Sequence, residues 1–170
     1  MVQTDQMKVV LLEDEDLLRG LLGDWLSSQP DIELLESFRS LKAFNSSLES
    51  SVKDADVIIA DLFLVDGESL DPVLREISAN PKKQGLVVIS GRPTSDLFDR
   101  MSNGMSGGWA FLLKNSNGLS NLRQALQAVQ SGLVMVDPEL KNMFSTPGLN
   151  TSLTAQERSV IEKVAEGKSN

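Results

Sequence analysis

Histidine, cysteine and tyrosine are absent from this chain of 170 residues, and aromatic residues make up only 5% of it. Without an imidazole there is no Ser-His or Cys-His nucleophile pair and no histidine general base. Without a thiol there is no disulfide, zinc–thiolate site or iron–sulfur cluster. The shortage of aromatic rings argues against a stacking platform for single-stranded nucleic acid. Any chemistry must therefore rely on carboxylates, lysine, hydroxyl groups, the backbone and a hard cation.

Long hydrophobic runs are missing as well. The polar residues 1–7 lack the apolar segment of a signal peptide, and the strongest apolar runs, such as residues 9–12, are far too short to cross a bilayer. Apolar residues at 41% and charged residues at 24% are typical of a globular protein, here with a net charge of −8. We expect a cytoplasmic protein that makes no contact with a membrane.

Short apolar runs alternate with segments of helical spacing through most of the chain. Three of the five runs are continuous and rich in valine and isoleucine, which is typical of parallel strands buried on both faces. The runs are residues 9–12, 33–35, 57–60, 86–89 and 110–113. The clearest helical stripe lies at residues 17–26, and a second lies at 119–129. This alternation predicts an α/β fold with a doubly wound, five-stranded parallel sheet in residues 1–132.

The pattern changes after Gly132. Residues 133–152 contain two prolines and many small polar residues, which predicts a linker. Thr154 followed by Glu157 is a capping box, and it predicts the start of a helix in a further segment, residues 153–170.

Charged and polar residues directly follow several of the predicted strands. Glu13 and Asp14 follow the first, Asp61 the third, Ser90 the fourth and Lys114 the fifth. The carboxyl ends of parallel strands meet at one edge of a doubly wound sheet, where ligands bind. Carboxylates about 4 Å apart repel one another by about 4 kcal/mol at an effective dielectric of 20, so a cation between them is favoured. A ligand set of oxygens alone selects Mg²⁺, Mn²⁺ or Ca²⁺.

These positions together resemble the receiver domain of two-component response regulators. The resemblance implies that Asp61 is the phosphoacceptor. It also implies that Glu13, Asp14, Asp61 and the backbone carbonyl of Phe63 hold Mg²⁺. The bound cation and a nearby lysine would together neutralise the charge of a phosphoryl group.

The same resemblance assigns roles to three further residues. Ser90 would bind a phosphoryl oxygen, Lys114 would pair with the phosphoryl group, and Phe111 would reorient together with Ser90 on activation. The expected phosphoryl donor is a phosphohistidine on a sensor histidine kinase. Activation is expected to favour a homodimer.

The C-terminal segment resembles the opening of a LuxR-type helix-turn-helix domain, through Leu153-Thr154, Glu157 and Gly167. Receiver, linker and this opening, in that order, resemble a NarL/FixJ-type transcriptional regulator. A helix-turn-helix reads DNA with its second helix, which would lie beyond Asn170. We therefore expect DNA binding only through a longer C-terminal domain, and we expect no enzymatic function.

The glycine-rich residues 101–108 are longer than usual in the receiver pattern, a departure that concerns the switch surface. Two further departures leave an alternative open, because Val65 and Ser69 replace a usual proline and glycine. The alternative is a receiver-like interaction module that works without phosphorylation. A haloacid-dehalogenase-like phosphohydrolase is disfavoured, because such enzymes need a second aspartate at the position of Phe63.

Overall fold

The computed structural model describes residues 6–64, 69–91, 95–114 and 118–140. The strands are β1 (Met7–Leu12), β2 (Ile32–Phe38), β3 (Val57–Asp61), β4 (Gly85–Ser90), β5 (Trp109–Leu113) and β6 (Val134–Val136). The helices are α1 (Asp16–Ser28), α2 (Leu41–Ser46), α3 (Asp71–Ala79), α4 (Ser95–Gly104) and α5 (Gly118–Gln130), and an irregular helical turn, Leu48–Val52, follows α2.

The strands form one parallel sheet in the order β2-β1-β3-β4-β5-β6. Every residue of β3, β4 and β5 is buried, because helices cover both faces of the sheet. The direction of winding reverses between β1 and β3, so the loops that follow these two strands flank the crevice of the sheet. The predicted doubly wound α/β fold is confirmed.

Two hydrophobic clusters hold the layers together. The side chains of α1 and α5 pack on one face of the sheet, around residues such as Leu26 and Leu126. The other face packs against α2, α3 and α4, around Phe44, Ile77 and Met101. Burial of apolar surface on both faces, at about 25 cal/mol per Å², therefore fixes the sheet between two helical layers.

The α1 stripe is only partly used in this packing. Leu22 and Leu26 are buried, and Leu18 and Trp25 pack against the same cluster. However, Leu17 and Leu21, predicted on the same face, are 72% and 58% exposed. The first two turns of α1 therefore display apolar surface that the fold does not cover.

The prediction of five strands is corrected to six. The added strand, β6, is parallel to β5, with Phe111 opposite Val136, and it lies inside the predicted linker. Leu140, four residues farther on, is fully buried in the cluster that contains Phe111. Residues 133–136 form a four-residue apolar run, but the strand itself has only three half-buried residues and is followed at once by Asp137-Pro138. The rest of the predicted linker and the predicted helix-turn-helix opening lie outside the described residues.

Two adjacent glycines explain the glycine-rich residues 101–108. A Cβ atom on Gly107 would lie 2.4 Å from the carbonyl oxygen of Gln84, and one on Gly108 would lie 2.5 Å from that of Val129. Glycine at both positions therefore lets the chain enter β5 against the backbone of its neighbours.

Candidate phosphoacceptor and cation site

Glu13 and Asp14 lie at the carboxyl end of β1. The Glu13 amide donates to the carbonyl of Phe38 at 3.0 Å, which prolongs the β1–β2 pairing by one residue and directs the Glu13 side chain into the protein. Glu13 is only 1% exposed and Asp14 is half-buried. Glu15 and Asp16 are exposed instead. Of the four consecutive acidic residues, the first two therefore belong to the site.

Asp61 is the last residue of β3 and is 4% exposed. Its Oδ1 accepts a hydrogen bond from the amide of Phe63 at 3.1 Å. The Leu62 amide, in turn, donates to the carbonyl of Ile89 on β4 at 3.2 Å. The loop after β3 thus fixes the carboxylate at the edge of the sheet. The side chain of Phe63 itself is 49% exposed.

Lys114 connects the two acidic positions. Its Nζ lies 2.8 Å from Oδ2 of Asp61 and 3.1 Å from Oε2 of Glu13. Its amide donates to the carbonyl of Ser90 at 2.9 Å, which places the lysine directly after β5. Burial alone would lower the pKa of the Lys114 ammonium, but the hydrogen bond and charge of Asp61, and the charge of Glu13, hold that pKa above its usual value.

Three carboxyl groups share this small space. One oxygen each from Glu13, Asp14 and Asp61 lie within 4.8 Å of one another. Burial raises the pKa of Glu13 from 4.5 to about 7; the negative charge of Asp61 adds to the rise, while the Glu15 amide and Lys114 oppose it. Burial is the main cause of the rise, and the contacts with Lys114 do not offset it. Carboxylate oxygens at this spacing fit a hard divalent cation such as Mg²⁺.

Ser90 and Phe111 lie on the two strands beyond Asp61. Ser90 is the last residue of β4, fully buried, next to Ile89, which pairs with Asp61, and opposite Leu113 in the β4–β5 register. Phe111 is fully buried within β5, in the same cluster as Met101 of α4. The structure therefore places Ser90 at the sheet edge with Asp61 and Lys114, and Phe111 three residues before Lys114 in the core.

Of the two substitutions in the loop after Asp61, the structure describes one. Val65 lies outside the described residues. The Ser69 hydroxyl accepts a hydrogen bond from the amide of Asp71 at 3.1 Å, at the start of α3. Serine therefore supplies a side-chain acceptor at this helix start, which glycine would lack.

Asp137 is a buried acidic residue that sequence reasoning missed. It follows β6 and is 1% exposed, and its Oδ2 accepts a hydrogen bond from the amide of Leu113, the residue before Lys114. The signal in the sequence was a run of four apolar residues, 133–136, followed by Asp-Pro, a pattern typical of a helix start after a strand.

A shallow apolar groove borders the site between α1 and α5. It is lined by leucines of both helices, including Leu18 and Leu119, and Lys114 lies at its edge. The exposed Leu17 and Leu21 lie on the same helix, α1. Within the described part of the chain, no helix combines the length and the apolar character needed to cross a bilayer.

Comparison with known proteins gives a consistent set of relatives. No protein-family model matches the chain. The chain is 27% identical to the transcriptional regulatory protein LiaR of Bacillus subtilis (strain 168), over 96% of this chain and 79% of LiaR. It is 23% identical to the DNA-binding transcriptional activator DevR/DosR of Mycobacterium tuberculosis (strain ATCC 25618 / H37Rv), over 96% of this chain and 76% of that protein.

Among solved structures, the fold is similar to the isolated REC domain of RcsB from Salmonella enterica serovar Typhimurium, determined with the phosphomimetic BeF₃⁻. The TM-score is 0.64 at 17% identity, over 81% of this chain and 97% of that domain. At this identity the similarity concerns the fold. It matches the parallel sheet and flanking helices described above.

Proposed function

We propose, on the premise that this chain is a two-component response regulator of the NarL/FixJ type, that Asp61 is its phosphoacceptor. The observation that carries the proposal is the convergence of Asp61, Glu13 and Lys114 at the switch point of the sheet. Residues 1–132, with β6 and Leu140 packed against them, form the receiver unit in this proposal. Residues 141–152 would form the linker and residues 153–170 the start of the DNA-binding domain.

The transfer itself is a nucleophilic displacement at phosphorus. An oxygen of the Asp61 carboxylate forms a bond to the phosphorus of a kinase phosphohistidine, the P–N bond breaks, and the released imidazole nitrogen keeps its electron pair and takes up a proton. Little covalent chemistry is required of the protein, because phosphoryl transfer depends mainly on positioning and charge neutralisation. The Phe63 amide on Oδ1 and the Lys114 ammonium on Oδ2 hold the carboxylate for this attack.

Glu13, Asp14, Asp61 and the carbonyl of Phe63 would hold Mg²⁺, which neutralises the phosphoryl oxygens when bound. The Lys114 ammonium would move from its carboxylate partners to a phosphoryl oxygen. The buried Ser90 hydroxyl would bind another, with Phe111 following inside the core. This shift would favour a homodimer and alter the availability of the C-terminal segment.

The partner that delivers the phosphoryl group must contact the rim of the site. The groove between α1 and α5 reaches Lys114, and Leu17 and Leu21 expose apolar surface beside it. A kinase helix with an apolar face suits such a surface. Control of transcription would then follow through DNA contacts of the C-terminal domain whose opening residues 153–170 resemble.

Phosphorylation is tested with a small phosphodonor and Mg²⁺, by resolving phosphorylated from free protein on a phosphate-affinity gel and by intact mass. We expect one phosphoryl group on the wild type and none on Asp61→Asn. Asp54→Asn is the matched control, because Asp54 is an exposed aspartate just before the same strand, and it should be labelled as the wild type. Equal labelling of Asp61→Asn and wild type would contradict the assignment, and no labelling of any form would favour a module that works without phosphate.

A further inference from the structure

The carboxylate of Asp137 lies outside the three-carboxylate cluster and has no role in the proposed transfer. Both of its oxygens are occupied: Oδ2 accepts from the amide of Leu113 at 3.2 Å, and Oδ1 accepts from the amide of Glu139 at 3.0 Å. With 1% exposure, Asp137 is among the most buried acidic residues of the described chain. An acidic side chain is rarely buried to this extent unless its oxygens are bonded.

The position of Asp137 explains why an acidic side chain is needed there. The last ladder bond between β5 and β6 runs from the Asp137 amide to the carbonyl of Phe111, at 2.8 Å. The chain then leaves the sheet, because a helical turn begins at Pro138. The Asp137 carboxylate accepts from the amide of Leu113 on β5 and also caps the helical turn, because it accepts from the amide of Glu139.

These hydrogen bonds hold the last residues of β5, directly before Lys114. Phe111, the proposed switch residue, and Leu113 are both bonded to Asp137, one through its carbonyl and the other through its amide. Lys114 comes next, with its own amide on the carbonyl of Ser90 and its Nζ on Asp61. Asp137 thus bonds the residue directly before Lys114, whose side chain contacts Asp61.

On its other side, Asp137 holds the start of the chain that leaves the domain. The Leu140 amide donates to the Asp137 carbonyl at 3.0 Å, and the Leu140 side chain is fully buried in the cluster with Phe111 and Met101. Leu140, the last of the described residues, is therefore tied through Asp137 to the end of β5.

We propose that Asp137 is a positioning residue that fixes the end of β5 carrying Lys114 and couples the phosphoacceptor site to the chain beyond Leu140. This inference rests on the proposed function, because it needs the site to change state. A movement of Lys114 toward a phosphoryl group displaces the peptide of Leu113, and its bond to Asp137 passes that displacement to the helical turn at residues 138–140. The linker is then an acting part of the switch.

The first test uses the wild-type 170-residue chain with Mg²⁺ and beryllium trifluoride as the phosphoryl mimic. Amide chemical shifts and amide hydrogen exchange are followed by NMR. We expect shifts at Asp61, Ser90 and Lys114, and also at Leu113, Asp137 and Leu140. A response confined to the first three residues, with Asp137 and Leu140 unchanged, would overturn the coupling.

The second test uses Asp137→Asn, which is isosteric but keeps one acceptor oxygen in place of two. Glu139→Gln is its control, because it removes the same charge from an exposed side chain two residues away. We expect the mimic to shift Asp61 and Ser90 in both variants, while the shift at Leu140 is lost only in Asp137→Asn. Labelling by a small phosphodonor should be slower in Asp137→Asn and unchanged in Glu139→Gln.

A third variant, Leu140→Ala, keeps both bonds of the Asp137 carboxylate but removes the buried Leu140 side chain. It should be labelled at the wild-type rate and should lose the transmitted shift beyond residue 140.

The outcomes separate this inference from the proposed function. If the mimic shifts no site residue in the wild type, the proposed function fails, and the coupling fails with it. If the site responds and Asp137→Asn transmits the response to Leu140 as the wild type does, only the coupling is wrong. A variant that lowers stability without changing the transmitted shift would show that Asp137 is merely structural.

Discussion

The two ends of β3 each carry an aspartate paired with a lysine, and the two pairs are almost equally long. Asp56, just before the strand, lies 2.7 Å from Nζ of Lys82, and Asp61, at its end, lies 2.8 Å from Nζ of Lys114. The surroundings differ. At the amino end, Asp56 is a single carboxylate, whose second oxygen accepts from the Lys8 amide at 2.7 Å, and the pair is exposed to solvent.

At the carboxyl end, the Lys114 ammonium contacts two almost completely buried carboxyl groups, Glu13 and Asp61, and a third carboxyl group, that of Asp14, lies within 4.8 Å of both. The pKa of Glu13 rises there to about 7. An ion pair by itself therefore does not distinguish the two ends of the strand. The distinguishing feature of the carboxyl end is the burial and close spacing of its carboxyl groups, which costs stability in the absence of a cation and favours binding of one.

The largest expected effect comes from removing the lysine of each pair. Lys114→Ala should lower the free energy of unfolding by about 3 kcal/mol, because it leaves buried carboxylates without their counter-charge. Lys82→Ala should cost less than about 1 kcal/mol, because the Asp56–Lys82 pair is screened by water. Urea denaturation of both variants at neutral pH, with a chelator present, measures the two costs. A similar loss of stability in both variants would show that the two ion pairs do not differ in the way proposed.

The second effect is a dependence of the free energy of unfolding on pH, caused by Glu13 at the carboxyl end of the sheet. Glu13 binds its proton more tightly in the folded state (pKa about 7) than in the unfolded state (pKa 4.5). The folded chain therefore holds more protons between these values, so this group's contribution to the free energy of unfolding falls as pH rises from 4.5 through 7. The raised pKa of Lys114 acts only in the alkaline range, outside this window.

Glu13→Gln isolates that contribution. Without divalent cations, it should match the wild type near pH 4.5 and be more stable by about 3 kcal/mol at pH 8, since a shift of one unit corresponds to about 1.4 kcal/mol and the pKa of Glu13 rises from 4.5 to about 7. Glu36→Gln, on the exposed part of β2, is the control and should follow the wild type at both values. A constant difference between Glu13→Gln and wild type across this range would refute the assigned pKa.

The contrast between the two ends also shows what the sequence could predict. Buried parallel strands produce continuous apolar runs, and their carboxyl ends meet at one edge, so the fold and the set of Asp61, Glu13 and Lys114 could be expected together. The burial of Glu13 was not predictable, because it depends on the bond between its amide and Phe38 of a strand distant in sequence. Strand β6 was not predicted, although residues 133–136 are an apolar run, because proline and small polar residues follow that run and indicate a linker.

A third effect is the response to Mg²⁺. A cation that binds only the folded state at ten times its dissociation constant stabilises that state by about 1.4 kcal/mol. Wild type and Asp56→Asn should both gain stability on addition of millimolar Mg²⁺, and Asp14→Asn should gain much less. Thermal unfolding with and without Mg²⁺ measures the gain. If Asp14→Asn gained as much as the wild type, the cation would bind elsewhere.

The smallest effect concerns an apolar side chain at each end of the sheet. Phe63, two residues after Asp61, is 49% exposed, and Leu133, just before β6 at the opposite end, is 43% exposed. The Phe63 amide is bonded to Asp61, so its ring lies beside the loop where an acyl phosphate would form and where water must approach to hydrolyse it. Phe63→Asn should therefore shorten the half-life of phospho-Asp61 about threefold, which corresponds to a barrier to hydrolysis lower by about 0.7 kcal/mol.

The control, Leu133→Asn, changes a side chain of similar exposure far from that loop and should leave the half-life unchanged. The decay of label after removal of the phosphodonor compares the two directly, and equal decay in Phe63→Asn and wild type would mean that the ring does not shield the phosphoryl group.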